Sequence, residues 1–231
     1  MKKAYFLTLI LFFLSINTYA DTITWDYFNR TGWYQLPIWD GDEYGNTEVW
    51  NYLYANKYTN NENNFVQITS YGSVEYSQSM VGNRDNVYPY IKYETAKSIR
   101  FHPEDNYSII LQYQSPLGAS FEVNAGFRLN SSSADGVNVY FQKNNDQNYL
   151  FSTTINAGQS VNANFNVELL TGDSIYLIVN PRSNESYDQL ILTSYTLEGT
   201  TANPIPEPMT LIMLGLSVLA CFRKINMGNN A

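Results

Sequence analysis

Aromatic side chains that could hold a sugar are concentrated in one short stretch of the chain. All four tryptophans lie between residues 25 and 50, with several tyrosines among them. The apolar face of a pyranose stacks on an aromatic ring, while polar neighbours bind its hydroxyl groups. This chemistry predicts a carbohydrate site formed by five residues: Trp33, Trp39, Tyr44, Asn46 and Trp50. The alternative is that these rings close one end of a hydrophobic core, because Trp and Tyr bury large areas.

Acidic residues in the same stretch could hold a cation. Asp40, Asp42 and Glu43 supply the hard oxygen ligands that Ca²⁺ prefers in proteins. The segment lacks the full pattern of an EF-hand loop, so a solvated acidic loop is the alternative. Calcium is therefore a candidate ligand, and no other cofactor is expected.

Side chains for catalysis are few in this sequence. His102 is the chain's one histidine, which excludes metal sites built from several histidines. It precedes Pro103, and the chain has no Gly-x-Ser-x-Gly motif, so we expect a structural role for it. Acidic residues are abundant, but sequence does not give the separation of two carboxyl groups that a glycosidase needs. We assign no catalytic residues and expect a non-enzymatic protein, with a glycan-degrading enzyme as the alternative.

Apolar and polar residues alternate along most of the central region, which is typical of strands with one face in a core. The alternation is clearest over 121–129, 137–142 and 161–169. Further predicted strands cover 49–54, 65–70, 73–79, 107–114, 149–155, 174–180 and 188–197. The pattern predicts an all-β domain, a single antiparallel β-sandwich of jelly-roll type, with a closed barrel as the alternative.

Polar faces of these strands offer a second place for a sugar. Asn162, Asn164 and Asn166 alternate with apolar residues on one strand, as Tyr140 and Gln142 do on another. Such faces could form a sugar-binding sheet surface, and a solvated face is the alternative.

Charge and cysteine content limit the classes of partner. The chain has 21 acidic and 13 basic residues, a formal net charge of −8. Four of the basic residues stand near the two ends, so the central region is strongly acidic and repels nucleic acid. Cys221 is the one cysteine and lies near the carboxyl end, so no disulfide can form within the central domain.

The first 20 residues have the features of a secretory signal peptide. Lys2 and Lys3 begin the chain, an apolar stretch covers 4–16, and Ala20 is a small residue at the exit. We predict cleavage after Ala20, with an uncleaved membrane anchor as the alternative.

The other end carries a proline-rich motif, an apolar run and a basic pair. Residues 209–222 contain no charge and are followed by Arg223 and Lys224. This run is shorter than the roughly 20 residues of a comfortable membrane helix, and the basic pair would stay in the cytoplasm. We therefore predict a signal peptide over 1–20, a β-sandwich over 21–200 and a tail over 201–231, with a transmembrane helix at 209–222.

Pro206-Glu207-Pro208, the apolar run and Arg223-Lys224 together resemble a PEP-CTERM sorting signal, over about the last 25 residues. The resemblance implies a Gram-negative host, export machinery, and processing by an exosortase near Pro206 to Pro208. It further implies brief anchoring in the inner membrane, followed by release to the cell surface or the extracellular matrix of a biofilm.

A second resemblance covers residues 95 to 197. Asp135-Gly136-Val137 and, later, Gly172-Asp173-Ser174-Ile175 resemble motifs of the carbohydrate-binding-module-like jelly-roll domains of secreted bacterial proteins. Together, the two resemblances imply a non-enzymatic protein associated with exopolysaccharide, possessing weak affinity for carbohydrate. A self-assembling structural surface protein is a further alternative.

Overall fold

Two antiparallel sheets make up the computed structural model of the chain. It describes residues 22–29, 39–40, 42, 44–68, 71–74, 78–82, 89–95, 98–183 and 188–200, and within these gives only the backbone of 39–40, 71–74, 78–82 and 93–95. The predicted signal peptide with its cleavage site at Ala20, and the predicted tail with its helix at 209–222, lie outside the described residues. Within them, no helix has the length and apolar character needed to cross a membrane.

Fifteen strands are described. They are β1 (Thr22–Asp26), β2 (Trp39–Asp40), β3 (Trp50–Asn56), β4 (Val66–Gln67), β5 (Tyr71–Val74), β6 (Gln78–Gly82), β7 (Tyr90–Thr95), β8 (Ser98–His102), β9 (Tyr107–Gln114), β10 (Ala119–Leu129), β11 (Val137–Lys143), β12 (Tyr149–Ile155), β13 (Ser160–Leu169), β14 (Ser174–Pro181) and β15 (Leu190–Thr200). A short 3-10 turn, Glu62–Asn64, follows β3.

Strands β8 to β15 have the order of a jelly roll. One sheet has the order β13-β10-β15-β8-β7-β6-β5, and β1 also pairs with β15. The other has the order β12-β11-β14-β9-β3-β2, and β4 also pairs with β3. From β8 to β15 each strand lies in the opposite layer from the strand before it, except β12, which forms a hairpin with β11, and neighbouring strands are antiparallel. The prediction of an all-β antiparallel sandwich of jelly-roll type is confirmed.

Alternation of side chains places the core between the sheets. In β10 the odd-numbered residues from Phe121 to Leu129 are buried, and the strand lies between β13 and β15. Strand β14 is buried at every position because its outer face is also covered. One compact unit extends over Thr22–Thr200.

Two predicted strands differ from the structure. The prediction of a single strand at 73–79 is wrong, because Val74, the last residue of β5, pairs in antiparallel with Gln78, the first residue of β6. Of the predicted strand at 65–70, the structure describes residues 65–68, and among these only Val66–Gln67 form a strand. Both segments lie beside the jelly roll, where the apolar pattern is weaker than in β9 to β15.

Candidate functional site

The predicted aromatic site is largely part of the core. Trp50 is 1% exposed, and its ring lies 5.0 to 5.2 Å from those of Tyr27, Tyr113 and Tyr195. It faces inward because β3 alternates, with Trp50 and Tyr52 in the core between the sheets. Trp50 cannot offer its face to a sugar, so its assignment to the carbohydrate site is wrong.

Asp42 is a structural residue. Its buried carboxylate accepts hydrogen bonds from Trp25 Nε1 at 2.8 Å and from Asn46 Nδ2 at 2.7 Å. The backbone N–H groups of Tyr44 and Asn46 donate to its other oxygen at 3.0 and 2.8 Å. Four donors occupy the lone pairs that a calcium ion would need, so the prediction of Asp42 as a calcium ligand is wrong.

The other predicted residues are not brought together in the part of the chain that the structure describes. Tyr44 is 52% exposed, but its ring packs edge-on against Trp25 and its hydroxyl donates to Thr24 O at 2.8 Å. Asn46 is exposed and its amide is held by Asp42. The backbone of Trp39 pairs with Asn51, and the side chain of Trp39 is outside the described set. Trp33, Glu43 and the side chain of Asp40 are outside it as well. No cluster of three or more metal-binding side chains occurs among described residues.

A different set of aromatic rings meets on the outer face of the β11–β12 hairpin. The rings of Tyr140 and Tyr149 lie 4.4 Å apart between centroids, with 31° between their planes. Tyr149 is 37% exposed, and Tyr58, in the turn after β3, is 61% exposed. The hydroxyl groups of Tyr58 and Tyr149 both interact electrostatically with that of Tyr140. We call Tyr58, Tyr140 and Tyr149 the tyrosine cluster.

A β-bulge turns Tyr149 outward. Phe141 pairs with Phe151, but the next residue, Gln142, pairs with Tyr149, so Leu150 is an extra residue in β12. Without the bulge, strict alternation would put Tyr149 on the same face as Phe151, which packs against the core. With it, Tyr149 stands diagonally opposite Tyr140, within reach of its ring.

Tyr58 is held in an uncommon backbone conformation. Its φ is +64°, which a residue with a Cβ adopts only at a cost of about 1–2 kcal/mol. Lys57 Nζ lies 5.1 Å from the Tyr58 ring centroid and donates a hydrogen bond to Arg182 O. The Tyr58 hydroxyl approaches the same carbonyl oxygen at 3.5 Å. These contacts fix the ring at the edge of the tyrosine cluster.

Amide side chains surround the tyrosine cluster. Asn180 hydrogen bonds to the hydroxyl of Tyr140, and Asn60 to that of Tyr149. Asn138 accepts a hydrogen bond from Thr154 on the neighbouring strand at 2.8 Å. Burial raises the pKa of Tyr140 and of Tyr149, so both hydroxyls stay neutral and can donate as well as accept.

A second hydrophobic cluster lies beside the tyrosine cluster and packs against Tyr140. It lies on the outer face of the sheet and consists of Leu53, Ala55, Ile110, Tyr176 and Ile178, with Phe65 and Tyr140 packed against it. Residues 57–68 cover it: Phe65 packs edge-on against Tyr176, and Glu62 accepts a hydrogen bond from the Tyr176 hydroxyl at 3.0 Å. Burial raises the pKa of Tyr176 to about 12.

The polar strand faces noted in the sequence have different roles. Gln142 is buried and donates to Asn60 O and Asn144 O, both at 2.7 Å, so it anchors the covering segment. Asn164, on the other sheet, donates to Glu122 and Asn124 across β10. That face is exposed and lacks aromatic rings among its described residues.

His102 is part of the structure's interior. It is buried, stacks on Tyr90 with 4.8 Å between ring centroids, and its Nδ1 lies 2.9 Å from Pro103 O. Burial lowers the pKa of its imidazole.

Comparisons with known proteins identify distantly similar solved structures. No protein-family model and no curated protein matches the chain. The CBM51 domain from Clostridium perfringens GH95, solved with methyl-galactose, is 11% identical over 57% of this chain and 94% of that chain, with a TM-score of 0.35. The xylan-binding CBM22-1 domain of Paenibacillus barcinonensis Xyn10C is 11% identical over 57% and 86%, also with a TM-score of 0.35. A family 35 carbohydrate-binding module from an environmental isolate is 12% identical over 45% and 75%, with a TM-score of 0.30. Likeness of this degree assigns no function to the chain.

Proposed function

We propose that the domain binds carbohydrate at the tyrosine cluster and performs no catalysis there. The observation that carries the proposal is the pair Tyr140–Tyr149, turned to the outer face by a bulge and extended by the exposed ring of Tyr58. Aromatic faces held in place by packing bind the apolar faces of sugar rings at little entropic cost.

The surroundings of the tyrosine cluster suit sugar hydroxyl groups. Asn60 is half-buried and bonds to the Tyr149 hydroxyl, and its amide retains further donor or acceptor capacity. Asn180 is buried and also accepts a hydrogen bond from Ser108, so it positions the Tyr140 hydroxyl. The tyrosine cluster has three rings for stacking, so we expect weak binding, on the order of a millimolar dissociation constant.

Net charge favours an uncharged polymer. The chain carries a formal charge of −8, and polyanionic glycans would be repelled by it at low ionic strength. A neutral polysaccharide is therefore the expected ligand class, and the repulsion of anionic polymers would weaken as salt is added.

We also propose that the protein is exported and reaches the extracellular matrix. The support is the signal-peptide pattern ending at Ala20 and the ordered motif Pro206-Glu207-Pro208, apolar run and Arg223-Lys224. In this proposal an exosortase removes the tail after brief anchoring in the inner membrane, and the released domain associates with exopolysaccharide.

Carbohydrate binding is tested by affinity electrophoresis of the purified protein in gels that contain neutral or anionic polysaccharides. Retardation by a neutral polymer is expected for the wild type. Tyr149→Ala combined with Tyr58→Ala should abolish it, because two of the three rings are lost. Tyr149→Phe keeps the ring and should retain most of the retardation.

Tyr44→Ala is the matched control, since Tyr44 is an exposed tyrosine at a different place. Unchanged retardation in the Tyr58 and Tyr149 double variant would contradict the proposed site. Loss of retardation in Tyr44→Ala alone would indicate that the carbohydrate site lies in the tryptophan-rich stretch instead. A fall in polymer viscosity on adding the protein would contradict the absence of catalysis.

Export is tested by intact mass in hosts with and without an exosortase. A shortened species in the medium, present only with the exosortase, is the expected result. A full-length, membrane-held species in both hosts would mean that the tail is an ordinary anchor.

A further inference from the structure

Two carboxyl groups from distant parts of the chain meet at one end of the sandwich. Asp135 stands two residues before β11 in the loop after β10, and Asp188 stands two residues before β15 in the loop after β14. The two carboxyl groups lie within hydrogen-bond reach of each other. We call Asp135 and Asp188 the carboxyl pair. It takes no part in the carbohydrate site proposed above.

Asp188 is fully buried, with 0% of its surface exposed. Its Oδ1 accepts a hydrogen bond from Gly136 N at 3.2 Å, and the backbone N–H of Arg182 also bonds to the carboxyl group. Oδ2 is buried and receives no hydrogen bond from the residues that the structure describes. A buried oxygen of this kind is costly unless it is protonated or bound to a cation.

The turn after β14 holds Asp135 as well. Ser183 N donates to Asp135 Oδ2 at 2.9 Å, and Arg182 Nη1 donates to the backbone oxygen of Asp135 at 2.9 Å. Position 136, between the carboxyl pair and β11, requires glycine. Its φ is +109°, and a Cβ there would lie 2.8 Å from Ile155 O. The backbone therefore holds the two carboxyl groups against each other.

Basic side chains reach the loops of the carboxyl pair and donate to neutral oxygens there. Arg182 Nη1 also donates to Asn156 Oδ1 at 3.0 Å, and Lys57 Nζ donates to Arg182 O. Arg100, on the strand that pairs with β15, donates to Gln189 Oε1. Hydrogen bonds of Arg182, Lys57 and Arg100 thus reach the two loops that carry the pair.

Two carboxylates in contact at a buried site cannot both be ionised without a large repulsion. Burial, together with the neighbouring Asp135, raises the pKa of Asp188 to about 7. The pair therefore has one acidic proton to share at neutral pH.

We propose that Asp188 and Asp135 share a single proton, held between Asp188 Oδ2 and the Asp135 carboxylate, and that this proton joins the loop before β11 to the loop before β15. Loss of the proton leaves two negative charges in contact and loosens both loops. The turn at Arg182, whose carbonyl receives Lys57 and Tyr58, is the first element that this repulsion would disturb.

The sign of the pH dependence follows from proton binding. Between pH 3.8 and about 7 the native state keeps a proton that the unfolded state releases. Stability from the pair is therefore fully present below pH 3.8 and is lost as pH rises through about 7. Across this interval the unfolding equilibrium constant should rise about tenfold per pH unit on account of the pair.

The test is urea unfolding of the full chain in mild detergent between pH 4.5 and 8.5. Asp188→Asn keeps the shape and supplies a permanent N–H donor to Asp135, so its unfolding constant should lack the tenfold rise per pH unit. Subtracting the variant's profile from that of the wild type cancels every other titrating group, His102 included. Glu198→Gln, an exposed acid on β15, is the control and should keep the wild-type slope.

Equal slopes in the wild type and Asp188→Asn would overturn the proposal. So would stabilisation of the wild type, but not of the variant, by millimolar CaCl₂ at pH 8, because a cation would then replace the proton. If Asp188→Asn does not fold, infrared spectroscopy of the wild type decides the question. A protonated carboxyl band at pH 6 that disappears above pH 8 is expected, and its absence at pH 6 would contradict the shared proton.

Discussion

At the scale of single residues, the buried side chain of Asp42 holds Trp25 of the first strand in the core. Asp42 binds the indole N–H of Trp25 and also closes its own turn through the backbone of Tyr44 and Asn46. Trp25 in turn packs against Tyr113 and Phe121 of the two sheets. Removing the carboxylate would leave several N–H groups without their acceptor at once, one of them on a buried ring.

Asp42→Ala should therefore lower the free energy of unfolding by about 2–3 kcal/mol. Urea unfolding followed by tryptophan fluorescence measures the change. Glu198→Ala, an exposed acid on β15, should stay within about 0.5 kcal/mol of the wild type. A loss below about 1 kcal/mol in Asp42→Ala would show that the carboxylate does not hold Trp25.

At the scale of elements, residues 57–68 cover part of a sheet face and support the tyrosine cluster. The segment covers Tyr176 and Ile178 on one side and carries Tyr58 and Asn60 to the tyrosine cluster on the other. It has little regular structure of its own, only the 3-10 turn Glu62–Asn64 and the two residues of β4. Its position therefore depends on side-chain packing and on the hydrogen bonds to Gln142 and Tyr176.

Phe65→Ala should lower the free energy of unfolding by about 2 kcal/mol, less than for a fully buried phenylalanine, because the ring is partly exposed. It should also weaken retardation by polysaccharide, since Tyr58 and Asn60 lose their support. Val66→Ala, at the neighbouring exposed position, is the matched control and should change neither quantity. Full binding in a destabilised Phe65→Ala variant would mean that the covering segment does not position the tyrosine cluster.

At the scale of the whole molecule, the first strand completes the sandwich. β1 pairs with β15 from Thr22 to Asp26, and the residues that follow it bring Tyr27 and Phe28 into the core beside Trp25. The strand begins two residues after Ala20, so cleavage at the predicted site would leave it whole. No disulfide can replace its contribution, because the domain contains no cysteine.

Deletion of residues 1–29 should abolish cooperative folding, whereas deletion of residues 1–20 should not. Loss of three buried aromatic residues removes about 3–5 kcal/mol each, comparable with the whole stability of a domain, about 5–15 kcal/mol. Thermal unfolding followed by circular dichroism compares the two. A cooperative transition in the shorter protein would show that β1 is dispensable.

Strand positions were the most predictable part of this molecule. The strands at 107–114 and 149–155 were predicted with the bounds observed. β10, β11 and β13 differ from prediction by one or two residues at one end. The sequence does not mark β1, because a segment of five residues shows too little alternation to indicate a strand and its pairing with β15 is not visible locally.

The candidate site was less predictable, because it depends on register. Tyr140 was noted on a polar strand face, but strict alternation assigns Tyr149 to the inner side of β12. One extra residue at Leu150 reverses that assignment, and no feature of the local sequence marks the bulge. Tyr58 joins from a segment more than 80 residues away, and the carboxyl pair likewise comes from two separate loops.

The sequence by itself determined the class of fold, the inward face of most strands and the absence of disulfides, because these follow from local period and composition. Only the tertiary structure decided which aromatic rings are buried and which are offered to solvent, and which two carboxyl groups meet. Those outcomes depend on the pairing of distant strands and on one bulge, where a shift of a single residue moves a side chain to the opposite face.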